Sequence, residues 1–534
     1  MTSTIELLVI LLAVVAAVAI LANRLRVPSA IVLVVVGVLM ALMPGLPAVE
    51  LAPEVVLLLV LPPVIYTAAF NMSWREFRFN LRPIALLAVG GVLLTTVVVA
   101  AAAHFLLGLT WPVGFVLGAI VSPPDAIAPL SIARRLELPR RILVILEGEG
   151  LANDTTALIL YRFAIAAVSL GVFSVGEAAG TFVAILAGEI IWGVAVGCGT
   201  MRLRRWVNEP LIEILLSLLT PFLAFWLPEH LGGSGVLATV TAGLYVSWNG
   251  PRLIGPATRL QGVFFWEFFA YVIEGMLFLV TGLQARVVVD RISDYPPSHL
   301  AVSVAVIIAV LIAARFLAIF PATYVPRWLF PALLRKDPSP PWQWSLMLAF
   351  TGVRGVVSLA AALAIPFTTA NGQPFPNRDL ILFLTFSVIL VTLIGQGLML
   401  PFFIKKLGLA HAGQAERKSD GDEEHKARSE AVLAAIKRLD ALAVERDLSA
   451  EMIEAVRAQH RDRLRHIEVR RNGDNVSKRL GELCDEVESH LIAAERMRVN
   501  ELFRSGELKD EARRRIEREL DMRETHLGRH GPGT

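Results

Sequence analysis

The chain has 534 residues, 55% of them hydrophobic, and a mean hydropathy of +0.61. A soluble domain of this size is not so apolar over most of its length, which excludes a wholly soluble chain. The formal net charge of +3 hides a segregation: charges are sparse up to Ile404, and Lys, Arg, Asp and Glu crowd together from Lys405 onward.

Two domains follow: a transmembrane domain over residues 1–404 and a charged helical tail over 405–534. The near-balance of signs in the tail gives no reason to expect nucleic acid as a partner. The two cysteines, Cys198 in an apolar run and Cys484 in the tail, imply neither a disulfide framework nor a zinc motif. No cofactor motif is present, so none is expected.

A membrane span needs about 20 mostly apolar residues. By that criterion about thirteen spans are expected. They run near Ile5–Leu21, Ala30–Met43, Val55–Phe70, Ile84–Leu107, Val113–Ala133, Ile142–Leu170, Ala178–Gly199, Leu211–Leu227, Ser234–Trp248, Val263–Leu283, Leu300–Ile319, Ser345–Pro366 and Ile381–Ile404. The first run ends in Ala22-Asn23-Arg24 without a clear cleavage site, so it reads as a retained span.

Every second loop is basic. Arg24 and Arg26, Arg75 to Arg82, Arg134 to Arg141, Arg202 to Arg205, Arg252 and Arg259, Arg327 to Lys336, and Lys405 and Lys406 follow the odd-numbered spans. The loops between them hold only Arg286, Arg291 and Arg378. The positive-inside rule then puts the N-terminus outside and the tail in the cytoplasm, with the chain in the cell membrane. Trp74, Trp111, Trp248 and Trp342, near span ends, read as interfacial anchors.

Two spans are interrupted. The fifth contains Ser122-Pro123-Pro124-Asp125-Ala126-Ile127-Ala128-Pro129, and paired prolines unwind a helix. The twelfth contains the polar, Gly-rich stretch from Thr351 to Ser358, with Arg354 inside it. With span seven as a connector, spans five and twelve hold the same place in two halves that run in opposite directions. Interrupted helices at matching places of inverted halves point to a transporter binding site. The fold expected is therefore all-α: two inverted repeats, each with an interrupted helix, followed by the helical tail.

The sixth span carries Glu149-Gly150-Leu151-Ala152-Asn153-Asp154-Thr155-Thr156 between apolar runs. A charge at that depth costs roughly 2.5–3.5 kcal/mol unless partnered, and by default it is functional. At 1.5 Å per residue, Asp154, Asp125 and Arg354 all converge near the middle of the bilayer. Glu149 and Asn153 share a helical face, whereas Asp154 lies about 140° from Glu149. Glu149 is the candidate partner of Arg354, because an unpaired buried charge costs far more than a paired one.

At these residues the sequence resembles the sodium/proton exchanger family of cation/proton antiporters, in its Asn-Asp branch. The matching stretches are Leu61–Phe70 (LPPVIYTAAF), Ser122–Pro129 (SPPDAIAP), Glu149–Leu158 (EGLANDTTAL), Ser234–Leu244 (SGVLATVTAGL) and Gly352–Pro366 (GVRGVVSLAAALAIP). The resemblance implies a homodimer and electroneutral exchange of a monovalent cation, Na+ before Li+ or K+, for H+. It implies roles in pH and sodium homeostasis.

Carried over by position, Asp154 is the carboxylate that holds cation or proton. Asn153 is its partner, and Asp125 and Ser122 belong to the unwound crossing. Thr67 stands where many relatives have an acid, Pro124 where many have Thr, and Gly150 where many have Ser. Fewer side-chain oxygens then surround Asp154, and backbone carbonyls or water must complete the shell. Glu149 and Arg354 are implied as a structural ion pair.

Hard monovalent cations prefer oxygen ligands. Burial disfavours the charged form of a carboxylate, so Asp154 is expected to hold a proton or a cation but not both. For the other intramembrane polar groups a packing role is weighed beside function. Glu147 either lines an entry funnel or is simply near the interface. Glu274 and Arg315 are expected to pair with each other. Glu189 and His104 are expected to be packed.

A channel would need a continuous polar pathway, and the polar residues here concentrate at one depth. A hydrolase would need a nucleophile and base or a metal constellation, and no such pattern is found. In the tail, Val432, Leu433, Ile436, Leu439 and Leu442 form one predicted helical face. Leu480, Leu483, Val487 and Leu491 form another, with a break at Arg471–Asp474 and an unstructured end at His530–Thr534.

Overall fold

The computed structural model of the chain describes residues 2–25, 27–44, 51–170, 174–207, 209–292, 295–446, 449–471, 475–505 and 507–528. Arg26, residues 472–474 and the end from His530 lie outside the described residues, as do the side chains of Arg252, Leu480 and Cys484. The chain divides into two units, Met1–Gln414 and Ala415–Thr534.

The first unit is built from α1 (Thr2–Leu25), α2 (Ser29–Ala41), α3 (Leu61–Asn71), α4 (Trp74–Phe79), α5 (Leu81–Ala85), α6 (Val92–Leu107) and α7 (Trp111–Val121). It continues through α8 (Ile127–Arg135), α9 (Arg140–Leu170), α10 (Val175–Arg204), α11 (Pro210–His230), α12 (Val236–Leu253), α13 (Pro256–Asp290) and α14 (Pro297–Leu329). It closes with α15 (Pro331–Lys336), α16 (Trp342–Phe350), α17 (Val356–Leu363), α18 (Arg378–Val391) and α19 (Gly397–Lys406). Wider π turns lead into α3 at Val55–Val60, join α5 to α6 at Leu86–Gly91, and join α18 to α19 at Thr392–Gln396. Among the described residues the only strand-like pairing is one isolated antiparallel bridge, Thr368 with Pro374.

Among the described residues, eight helices are long and apolar enough to cross a membrane, and three shorter apolar helices accompany them. Length and composition thus establish a multi-span, all-helical membrane protein. The count of about thirteen draws on the shorter and broken helices as well. Helices are the expected solution, because a bilayer offers backbone groups no water to bond.

Small residues let the helices approach. A Cβ on Gly37 of α2 would come within 2.9 Å of Gly282 Cα on α13, and one on Gly282 within 2.8 Å of Gly37 Cα. Such contacts replace the hydrophobic drive that is absent between helices in lipid. This α2–α13 crossing holds α13 in place.

The unit over 415–534 comprises most of α20 (Leu409–Arg446), then α21 (Ala450–Arg471), α22 (Asn475–Arg504) and α23 (Asp510–Gly528). Arg496 of α22 pairs with Asp521 and Glu524 of α23, and Arg523 pairs with Glu488 and Glu495. The first expected apolar face holds apart from Leu433, with Ile436, Leu439 and Leu442 half-buried, and the second needs correction. Val432 is buried, but Leu433 is half-exposed. Leu483, Val487 and Leu491 are also half-exposed, and α22 buries Ile492 and Val499 instead. Ion pairs between α22 and α23 accompany that packing, which hydrophobic spacing alone does not reveal.

Candidate functional site

The two interrupted helices meet. Helix α7 stops at Val121 and α8 starts at Ile127, so Ser122–Ala126 is unwound. Helix α16 stops at Phe350 and α17 starts at Val356, so Thr351–Gly355 is unwound. The freed Asp125 backbone N–H donates to the freed Val353 carbonyl at 2.7 Å. Each break therefore satisfies part of the other, as buried backbone must. Pro129 falls in the first turn of α8, where a missing N–H is tolerated.

Gly355 lies against Asp125 at the crossing. A Cβ there would come within 2.6 Å of Asp125 Cβ and Cγ. Asp125 Oδ1 accepts from the Ile127 N–H at 2.9 Å, at the start of α8. Asp125 Oδ2 is buried and makes no hydrogen bond. So Asp125 caps a helix end with one oxygen and leaves the other free.

A cavity of about 120 Å3 opens beside this crossing. A water needs about 10–15 Å3 by this kind of measure, so several fit. Asp154, Asp125, Glu147, Glu274 and Ser358 contribute to its wall, with apolar residues such as Val60 and Leu277 between them. Helix α9 runs unbroken through the Glu149–Thr156 stretch and sets the directions of its polar groups. Asn153 is fully buried, and its Nδ2 donates to the Pro124 carbonyl at 2.7 Å. That bond ties α9 to the unwound segment. Gly150 presses on Ala126, where a Cβ would sit 2.6 Å from the Ala126 Cβ.

The ion pair expected between Glu149 and Arg354 does not form. Glu149 pairs with Arg315 of α14 through both oxygens, one contact being Arg315 Nη2 to Glu149 Oε2 at 2.8 Å. Both side chains are almost completely buried. Arg354 instead donates through Nη1 to the Ser122 carbonyl, and its backbone N–H donates to Thr392 Oγ1 at 3.0 Å. The physical reason is that unwinding frees the Ser122 carbonyl, an acceptor within reach of the opposite break. The expected Glu274–Arg315 pair is overturned by the same geometry: Arg315 is engaged by Glu149, and Glu274 lines the cavity.

The hydroxyls proposed for the site point elsewhere. Thr67 Oγ1 donates to Pro63 O at 2.8 Å within α3, and Ser122 Oγ donates back to Ala119 O of α7 at 3.2 Å. Neither residue belongs to the cavity wall. Glu147 does, and it also pairs with Arg134 at 2.9 Å. Glu189 is buried and accepts from the backbone N–H groups of Ser234, Gly235 and Leu237, which caps α12. His104 stacks on Trp111 and contacts the Leu109 carbonyl through Nδ1 at 2.7 Å.

Sequence reasoning missed two wall residues. Ser358 closes the Gly-rich stretch of span twelve, so its place one turn past the break was the available signal. Glu274 is an acidic residue amid apolar neighbours on α13 and was assigned to the wrong partner.

Comparison with known proteins agrees with this architecture. The family described as "Sodium/hydrogen exchanger, transmembrane" matches residues 10–406. A Mycobacterium bovis protein named as a Na+/H+ exchanger is 35% identical over 97% of this chain and 96% of its own length. A "Sodium, potassium, lithium and rubidium/H(+) antiporter" of Bacillus pumilus is 32% identical over 71% of this chain and 58% of its own length. The solved structure of the sodium proton antiporter MjNhaP1 from Methanocaldococcus jannaschii superposes with a TM-score of 0.64. That match has 20% identity and covers 76% of this chain and 99% of the other, so it speaks for the fold.

Proposed function

The chain belongs to the family of transmembrane sodium/hydrogen exchangers, and we propose that it exchanges a monovalent cation, Na+ foremost, for H+ by alternating access. It acts as a transporter and not as an enzyme. One observation carries the reading: Asp154 lines the cavity with no ion pair or hydrogen bond among the described residues. A carboxylate at that depth is costly unless something neutralises it. A proton does so, and so does a cation, and each excludes the other.

Asp154 is the exchanging carboxylate in this proposal. Asn153 holds α9 to the unwound segment, and Asp125 offers its free oxygen from across the crossing. Water and backbone carbonyls complete the oxygen shell in place of Thr67 and Ser122. One cation displaced by one proton makes the exchange electroneutral. The cavity extends from Asp154 toward Glu147, which lies nearer the basic start of α9. With the basic loops cytoplasmic, this is the inward-facing state, in a cell-membrane protein with its tail inside. Assembly as a homodimer and service in pH and sodium homeostasis belong to the same proposal.

The name of the Bacillus pumilus relative supports testing several cations. Proton movement is measured in proteoliposomes driven separately by Na+, Li+ and K+. Exchange with the wild-type chain and none with Asp154→Asn is expected, with the variant eluting as a folded protein. Wild-type rates from Asp154→Asn would refute the assignment.

A further inference from the structure

Glu274 lies near the middle of α13, between Ile273 and Gly275, at a depth where a charge needs a partner. No described residue supplies one. Its carboxylate makes no hydrogen bond or ion pair among the described residues. Arg315 is held by Glu149. Of the charged groups around it, Asp125 shares the cavity wall and Arg134 does not. Arg134 is itself bonded to Glu147. The cavity wall thus brings Glu274 together with Asp125, Asp154 and Glu147, from α13, the unwound crossing and α9.

The position differs from that of a packing carboxylate. Glu189, also deep in the membrane unit, is buried and accepts several backbone N–H groups. Glu149 has a guanidinium on both oxygens. Glu274 has neither, and its neighbours in the cavity are mostly apolar. In such a low-dielectric, narrow space a single charge changes the local concentration of a counter-ion strongly.

We infer that Glu274 is an affinity-determining residue for the transported cation, an oxygen waypoint between the mouth by Glu147 and the site at Asp154. This rests on the exchange reading proposed above. The ligand is a hard, partly hydrated monovalent cation, which a lone carboxylate attracts without demanding full dehydration. Asp154 remains the group that releases the proton. Glu274 raises the occupancy of the cavity by the cation before that step, so its effect falls on apparent affinity more than on turnover.

The test is the KM for Na+ and the maximal rate of Na+-driven proton exchange in proteoliposomes, for the wild-type chain, Glu274→Gln and Glu274→Asp. Removing one unit charge a cavity's width from the site is expected to raise KM by about 3- to 10-fold. The maximal rate should stay within about twofold, because the uniform attraction lost is not part of the proton-release step. Glu274→Asp should restore most of the affinity. The KM gap should narrow when choline chloride raises the ionic strength, as expected for an electrostatic effect.

A packing role predicts the reverse: a reduced rate or yield with KM unchanged, and no sensitivity to salt. That result overturns the inference. Should Glu274→Gln fail to fold, Glu274→Ser removes the same charge with less bulk and is held to the same expectation. Absence of cation-driven exchange in the wild-type chain would refute the exchange reading itself. Wild-type exchange with unaltered KM in the variants would refute only the role of Glu274.

Discussion

The buried pair of Glu149 with Arg315 is the sharpest test of how charge is arranged around the site. Arg315 Nη2 lies 2.8 Å from Glu149 Oε2, and the Glu149 and Arg315 side chains are 2% and 6% exposed. At an effective dielectric of about 20, opposite unit charges at that distance attract by roughly 6 kcal/mol. Desolvation offsets much of this, so the pair adds little net stability. Losing one partner is different. Glu149→Gln leaves Arg315 uncompensated beside Arg354, two guanidinium groups with no carboxylate, and should cost about 3–5 kcal/mol.

Arg315→Gln should cost a similar amount. The double variant Glu149→Gln/Arg315→Gln removes both charges and should recover most of the loss. Glu149→Gln/Arg354→Gln should recover far less, because Arg354 is held by the Ser122 carbonyl. The assay is the apparent melting temperature in detergent across the full set of variants. Rescue by Arg354→Gln equal to or greater than rescue by Arg315→Gln would refute the reasoning and restore the pairing expected from sequence.

Two further outcomes bear on the crossing and the ion shell. Gly355→Ala places a methyl against Asp125 Cβ and Cγ, so it should destabilise the crossing by about 1–3 kcal/mol and reduce exchange; wild-type melting and rate would contradict the close approach described here. Thr67→Val removes a hydroxyl bonded to Pro63 O and absent from the cavity wall. The KM for Na+ should change less than about twofold, since this i to i−4 bond stays within one helix, and a large rise in KM would show that Thr67 turns toward the ion.

Much of the site was readable because its signals are local or periodic. Pro123 and Pro124 break a helix whatever surrounds them, and Gly352 with Gly355 weakens the other. Asp154 was separable from Glu149 by helical phase alone, and the structure keeps them on different neighbours. The partner of Arg354 was not readable in this way. Arg315 lies on α14 and Arg354 in the break between α16 and α17, and Arg315 engages both oxygens of Glu149. The choice depends on a backbone carbonyl freed at Ser122, which no side-chain pattern displays. Thr67 and Ser122 failed for a related reason. A serine or threonine in a helix can turn its hydroxyl back to its own chain, and residue type does not say which way it points. In the tail, i and i+4 spacing placed Leu483, Val487 and Leu491 on one face, but α22 buries Ile492 and Val499 through long-range packing that such spacing does not display.

The arrangement of positive groups is consistent with a proposed exchange site at Asp154 that stays available. Arg315 is committed to Glu149, Arg354 to the Ser122 carbonyl, and Arg134 to Glu147. Under the proposed mechanism, a fixed guanidinium brought against Asp154 would neutralise it permanently. A guanidinium cannot leave as a small cation does, so such a pair would close the site to both substrates. In the proposed exchange, the acids that hold these arginines act on transport indirectly, by keeping protein cations committed away from Asp154. This separates the acidic residues by consequence. Neutralising Glu149 frees a fixed positive charge near the site, whereas neutralising Asp154 removes the exchanging group itself. Restoring stability through Arg315→Gln can undo the first loss and cannot undo the second.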